Sequence, residues 1–268
     1  MEQRIDEWTK TYNDEYFNRQ FKTPYRSTVK FCDWLEELDV INTDSQSNIL
    51  DIATGKGATL YYMQQRFPHC SFLGIDINND FVQQGNCYFT NEQIQNCKLE
   101  YGDLYNLNLE TFANKYEGIV MLQTLSWLPE AESALSEIIK LNPQWVAFSS
   151  LFYDGLVECK AEIYEYENFN KIKTKDCGDM VVCENVIKFK KSSYYNTYSI
   201  PKIKAFFEEN GYKVFKYSPF EIDVDLPKLE HSHMGTHTLL LSNGKRLQVS
   251  GPLLMNWYFI YAERCNQN

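Results

Sequence analysis

Two carboxylates and a pair of glycines carry the chemistry most easily read from this sequence. In Asn48-Ile-Leu-Asp51-Ile-Ala53-Thr-Gly55-Lys-Gly57 an apolar run ends in an acid and then breaks into a Gly-x-Gly turn. In Phe72-Leu-Gly-Ile-Asp76-Ile77 a second apolar run also ends in an acid. Glycine is needed where the backbone turns sharply and a ligand comes close to it. A carboxylate at the end of the second strand suits the two hydroxyls of a ribose. Together these features describe a strand, tight loop and helix that hold a nucleoside-like cofactor across the carboxyl ends of a parallel sheet.

The same residues narrow the cofactor. A dinucleotide fingerprint has a third glycine for close helix packing and seats a pyrophosphate on the helix N-terminus. Leu60 stands at that third position, and Asp51 would set one anion beside another. An acid there suits an ammonium group. S-adenosyl-L-methionine (SAM), with an amino-acid end and a ribose but no phosphate, therefore fits better than NAD.

Residues 48–150 resemble the core of the class I SAM-dependent methyltransferases, in their small-molecule branch. The family's first motif is an acid followed by Gly-x-Gly-x-Gly; here Ala53 replaces the first glycine ahead of Gly55 and Gly57, which implies a slightly tighter loop. The resemblance implies that Asp51, Ala53, Gly55, Gly57, Asp76 and Ile77 line the cofactor, with Asp76 on the ribose hydroxyls. It implies that Asp103 and Leu104, in Tyr101-Gly-Asp-Leu, read the adenine amino group. It also implies that Gln123 and Trp127, in Met121-Leu-Gln-Thr-Leu-Ser-Trp-Leu, lie under the sulfonium and its methyl, although Trp127 reads equally as a core residue at a helix start. S-adenosyl-L-homocysteine is the product so implied.

The elements that position these residues follow from apolar periodicity. Strands are expected at Ile49 to Ile52, Phe72 to Ile77, near Leu99, Gly118 to Leu122 and Trp145 to Ser150, with helices at Thr59 to Phe67, from about Asp80, and at Glu130 to Leu141. Alternation at these lengths means an α/β, doubly wound, Rossmann-like sheet. The family resemblance implies seven mainly parallel strands with an antiparallel last strand inserted beside the fifth. The whole chain, 1–268, reads as a single methyltransferase domain: a helical lid at 1–40, the cofactor-binding core at 48–150, a β-rich insertion or cap at 155–198, and a C-terminal helix with antiparallel strands at 199–268. In the lid, Thr23-Pro-Tyr-Arg26-Ser27 separates two helical runs, and Ser27 or Thr28 is expected to cap the second. Arg26 is placed either to meet the cofactor carboxylate or as a surface arginine in a turn. Ser199-Ile-Pro201 opens a late helix, and Asn243-Gly244 between two apolar runs signals a hairpin.

An acceptor hydroxyl needs a base to take its proton. Three of the four histidines cluster as His231-Ser-His233-Met-Gly-Thr-His237. They read as a base or substrate donor, as surface residues, or as ligands to a shared divalent ion, though no Cys or carboxylate set supports the last and no metal is expected. Asp154, after the fifth strand with Phe152 and Tyr153, is a second candidate base facing the crevice. Lys245 and Arg246 at the hairpin are solvated turn charges, or hold an anionic substrate if the hairpin folds inward.

A net charge of −10 disfavours nucleic acid as partner. The eight cysteines include no Cys-x-x-Cys pair and read as reduced thiols. No apolar stretch reads as a leader or a membrane span, so a cytoplasmic protein without membrane contact, monomeric or homodimeric, is expected. The function expected is methyl transfer to O or N of a small polar metabolite. The ending around Gly235-Thr-His-Thr, Gly244-Lys-Arg-Leu-Gln-Val and Trp257-Tyr resembles bacterial methyltransferases of sugar and surface-polysaccharide modification. That points to a sugar, a nucleotide-sugar or a phosphorylated or phosphoramidate capsule precursor. The alternative is a SAM-binding regulatory module without transfer activity, which the retained Gly55, Gly57 and Asp76 disfavour.

Overall fold

Strands covered on both faces read as nearly continuous apolar runs, and Gly118-Ile-Val-Met-Leu and Trp145-Val-Ala-Phe are of that kind. The computed structural model describes residues 14–166, 174–177, 180–183, 189–220, 236–240, 246–250 and 256–264. In chain order its elements are α1 (Asp14–Lys22), α2 (Arg26–Glu37), β1 (Asn48–Ile52), α3 (Ala58–Arg66), β2 (Ser71–Asp76), α4 (Asn79–Asn91), β3 (Cys97–Tyr101), α5 (Leu109–Phe112), β4 (Gly118–Leu122), α6 (Ala131–Lys140) and β5 (Trp145–Tyr153). Then follow β6 (Glu162–Tyr166), β7 (Thr174–Cys177), β8 (Met180–Cys183), β9 (Phe189–Tyr194), β10 (Tyr198–Ser199), α7 (Ile200–Glu209), β11 (Tyr212–Pro219), β12 (Thr236–Leu240), β13 (Arg246–Ser250) and β14 (Asn256–Arg264).

The central sheet runs β11-β14-β5-β4-β1-β2-β3. Strands β1 to β5 are mutually parallel, while β14 is antiparallel to both β5 and β11. The two-residue β10 pairs with the end of β5 and makes an eighth strand that sequence periodicity does not show. Strand order reverses between β1 and β4, and a doubly wound sheet opens its crevice at such a reversal.

Alternate residues of each strand feed two cores. Leu50, Ile119, Met121 and Phe148 pack with α6 and α7 on one face, and Ile49, Val120 and Ala147 pack with α2, α3 and α4 on the other. The lid helix α2 reaches β14 through Phe31 and Trp34, whose rings lie 5.5 and 5.8 Å from that of Phe259. Arg66 of α3 ties α2 down, donating to Asp33 at 2.6 Å and also to Glu36. The insertion forms two antiparallel pairs, β6–β9 and β7–β8, and β12 pairs with β13 on either side of Asn243-Gly244. Ser199 caps α7 and Pro201 sits in its first turn, as read from the sequence.

One local expectation is corrected. Ser27 and Thr28 do not cap α2; the cap position is Tyr25, and both hydroxyl residues lie buried within the first turn. Both line the crevice, where the Ser27 hydroxyl accepts from the Gln123 side chain.

Candidate active site

The loop after β1 is shaped by its backbone. Ala53, Gly55 and Gly57 all have positive φ, at 58°, 60° and 80°. Left-handed backbone strains any residue with a Cβ, so Ala53 is strained where the family pattern has glycine. Gly57 caps α3, and a Cβ there would come within 2.8 Å of the Phe89 ring. Gly57 therefore serves packing beneath the loop and does not line the cavity. The close helix approach given to a third glycine in dinucleotide sites is provided here from α4. A Cβ on Gly85 would lie 2.4 Å from the carbonyl oxygen of Lys56.

Above this loop, at the carboxyl ends of β1, β2 and β4, lies a cavity of about 510 Å³, within the usual range for a small-molecule site. Asp51, Ala53, Gly55, Asp76, Ile77, Asp103, Leu104, Gln123 and Trp127 line it. Asp76, nearly buried, accepts from the Gly55 N–H at 2.7 Å and the Asn78 N–H at 2.8 Å. These bonds fix the carboxylate while leaving lone pairs for a ligand's hydroxyls. Burial raises its pKa, and the two backbone N–H groups oppose that rise. Asp51 accepts from the Thr54 hydroxyl at 2.7 Å. Complete burial, opposed by Thr54 and reinforced by the charge of Asp76, pushes Asp51 up to about 7. Asp103 caps the turn Leu104–Asn106, accepting from the Tyr105 N–H and the Asn106 side chain.

Gln123 lines the cavity just past the end of β4. Its backbone is left-handed, with φ 56°, and its N–H donates to both the carbonyl and the hydroxyl of Ser149. Its side-chain amide donates to Ser27 of the lid helix at 2.9 Å. The lid contributes Gln20, Tyr25 and Thr28 to the lining, and β14 contributes Trp257. Gln20 donates to the Tyr25 hydroxyl at 3.0 Å. Trp127 stands in a turn of 3-10 helix, its ring 5.1 Å from that of Tyr195 at the root of the insertion. Trp127 is thus a half-buried cavity residue and not a core residue. Buried Asn196 holds the next carbonyl, Leu128, at 2.9 Å, and the Tyr198 hydroxyl donates to the same oxygen at 3.0 Å.

Other residues named from the sequence lie elsewhere. Arg26 is exposed, and its neighbours Tyr25 and Ser27 reach the cavity instead. β5 runs three residues beyond Ser150, because β10 and β14 pair with Phe152. Phe152 is consequently core, and Asp154 is carried past the crevice to an exposed position outside the cavity lining. His231, His233 and Lys245 lie outside the described residues, while His237 and Arg246 fall on β12 and β13. Among the described residues no group of His, Cys, Asp and Glu could hold a metal, and no helix is long and apolar enough to cross a membrane. Sequence reading missed Gln20, Tyr25, Gly85, Asn78 and Trp257; only the Asn78 helix cap, ahead of Asn79-Asp80, had a local signal.

A crevice at the strand-order reversal, with one buried acid on β1, another on β2 and a glycine-bearing loop between them, fits a nucleoside cofactor without a pyrophosphate. Residues 49–142, about a third of the chain, match the family model described as a methyltransferase domain, and that segment runs from β1 to the end of α6. Among solved structures, the YcgJ protein from Bacillus subtilis is 13% identical, with 88% of this chain and 98% of that one covered at a TM-score of 0.54. The N-terminal domain of EvdMO1 with S-adenosylhomocysteine bound is 10% identical, with 94% and 85% covered at a TM-score of 0.52. At such identities the likeness is one of fold. A Galdieria sulphuraria methyltransferase of the sarcosine dimethylglycine type, 17% identical with a TM-score of 0.43, is matched over only 49% of this chain and 49% of its own length. No curated protein matches the sequence significantly.

The residues present fit the cofactor. Asp76 suits the ribose diol, and Asp51 suits an ammonium group. Both carboxyls are buried and their pKa values raised by that burial, so a ligand of net positive charge would favour their ionised forms.

Proposed function

We propose that the chain transfers a methyl group from SAM to O or N of a small polar metabolite, within the sugar-related range its C-terminal sequence resembles. SAM would supply an electrophilic methyl on sulfur: the acceptor's lone pair forms the new bond, the carbon–sulfur electron pair stays on sulfur, the acceptor's O–H or N–H proton passes to solvent, and S-adenosylhomocysteine remains. Asp76 would hold the ribose, Asp51 the ammonium and Asp103 the adenine edge. Gln123 and Trp127, past the end of β4, would face the reacting methyl. Orientation and exclusion of water supply much of the rate in such a displacement.

The observation that carries this reading is the closure of the crevice by the chain's own lid, tied down through Gln123 and Ser27. A site roofed in this way admits a small acceptor more readily than a duplex or a folded protein. The test supplies methyl-labelled SAM with the low-mass and the macromolecular fractions of a source-cell extract. Label is expected in low-mass product. Label confined to protein or nucleic acid would contradict the proposal.

A further inference from the structure

The charges of the cavity lie on one side of it. Asp51 on β1, Asp76 on β2, Asp103 after β3 and Lys56 in the loop after β1 are the charged lining residues among those described. The order β14-β5-β4-β1-β2-β3 sets all four on the β1–β3 half. The remaining lining, from the end of β4, the start of β14 and the lid, includes Gln20, Tyr25, Gln123, Trp127, Leu128 and Trp257, none of them charged. SAM's ammonium, ribose and adenine match the charged half. The methyl then points into the uncharged half, which is where an acceptor must sit.

The walls of that half are held rigidly. Trp127 packs on Tyr195, and the Leu128 carbonyl is fixed by Asn196 and Tyr198. Trp257 lies opposite Leu151 of β5, and its carbonyl accepts from the Phe220 N–H at 2.7 Å. Two indole side chains offer flat apolar faces, and the Gln20 amide and Tyr25 hydroxyl offer hydrogen bonds. Among the described lining residues of this half none is a cation, Lys56 lying on the other side, and an uncompensated buried phosphate or carboxylate is costly. The geometry points to an uncharged acceptor for this half of the cavity: a polyhydroxy ring compound without phosphate, with its C–H face on the indoles and its hydroxyls on the polar groups. This rests on the methyltransferase reading above and selects the unphosphorylated end of its sugar-related range.

The test uses the full chain, first checked by calorimetry for SAM binding, with methyl-labelled SAM and the low-mass extract. Labelled product is passed over anion and cation exchangers at neutral pH. The expected product is retained by neither. Trp257→Ala lowers labelling at least tenfold, Trp257→Phe restores most of it, and both bind SAM within about twofold of wild type. Label held on the anion exchanger would overturn the inference and bring Lys245 and Arg246 forward as anion partners. Label held on the cation exchanger, or full labelling by Trp257→Ala, would overturn it too. Failure of wild type to bind SAM would instead strike the methyltransferase reading beneath it.

Discussion

Asp51 makes SAM binding and folding depend on pH in opposite directions. Buried beneath the cavity with Asp76 nearby, it is raised from its ordinary 3.8 to about 7. The folded protein therefore holds a proton on Asp51 between about pH 4 and pH 7 that the unfolded chain releases. Stability is greatest at the acid end of this window and falls as pH rises through it, because stability drops with pH wherever the folded state binds more protons. At about 1.4 kcal/mol per decade, the gap caps this loss at about 4 kcal/mol. Asp76 is raised as well and acts with the same sign. A ligand ammonium needs the ionised carboxylate, so SAM binding must expel the proton. Its affinity should rise nearly tenfold per pH unit towards pH 7 and level off above. Calorimetric titration with SAM across this range, in buffers of different ionisation enthalpy, reads both the slope and the proton released. Asp51→Asn should bind weakly with little pH dependence and lose most of the acid-side gain in stability. A wild-type affinity that is flat across the window would refute the assignment of Asp51 to the ammonium.

Other consequences are more local. Ser27→Ala removes the acceptor of the Gln123 amide; one hydrogen bond is worth about 1 kcal/mol, so SAM should dissociate roughly fivefold faster in stopped-flow measurements, with faster hydrogen exchange in α2. Gly85→Ala drives a methyl against the Lys56 carbonyl; overpacking of this kind costs about 1–3 kcal/mol, to be read as a lower urea midpoint together with weaker SAM binding. Arg66→Ala removes partly exposed contacts to Asp33 and Glu36; with solvent screening the loss is about 1 kcal/mol, seen in denaturant unfolding, while SAM affinity is nearly retained.

What sequence reading could see was set by the range of each interaction. β1, β2 and β4 are apolar runs that end at residues lining the cavity, so Asp51 and Asp76 are legible from local pattern, and Gln123 from the resemblance of its motif. The lid's role was legible only as two helical runs. Its link to the core joins Ser27 to Gln123 across most of a hundred residues, and no periodicity reports such a pairing. Gly85 looks like an unremarkable helix glycine until its approach to Lys56 is known. Asp154 was misjudged as facing the crevice because the length of β5 depends on its partners, β10 and β14, which come much later in the chain. Trp257 likewise reaches the cavity only because β14 is laid antiparallel against β5.

Calorimetric titration of the purified chain with SAM and with S-adenosylhomocysteine, beside Asp76→Ala, decides whether this crevice is the cofactor site. Hydrogen bonds to a charged group are worth about 1.5–3 kcal/mol each, so both ligands should bind wild type and bind the variant at least tenfold more weakly, a loss of about 1.4 kcal/mol or more. Binding that Asp76→Ala leaves unchanged, or no binding of either ligand to wild type, would contradict the assignment of the crevice to SAM.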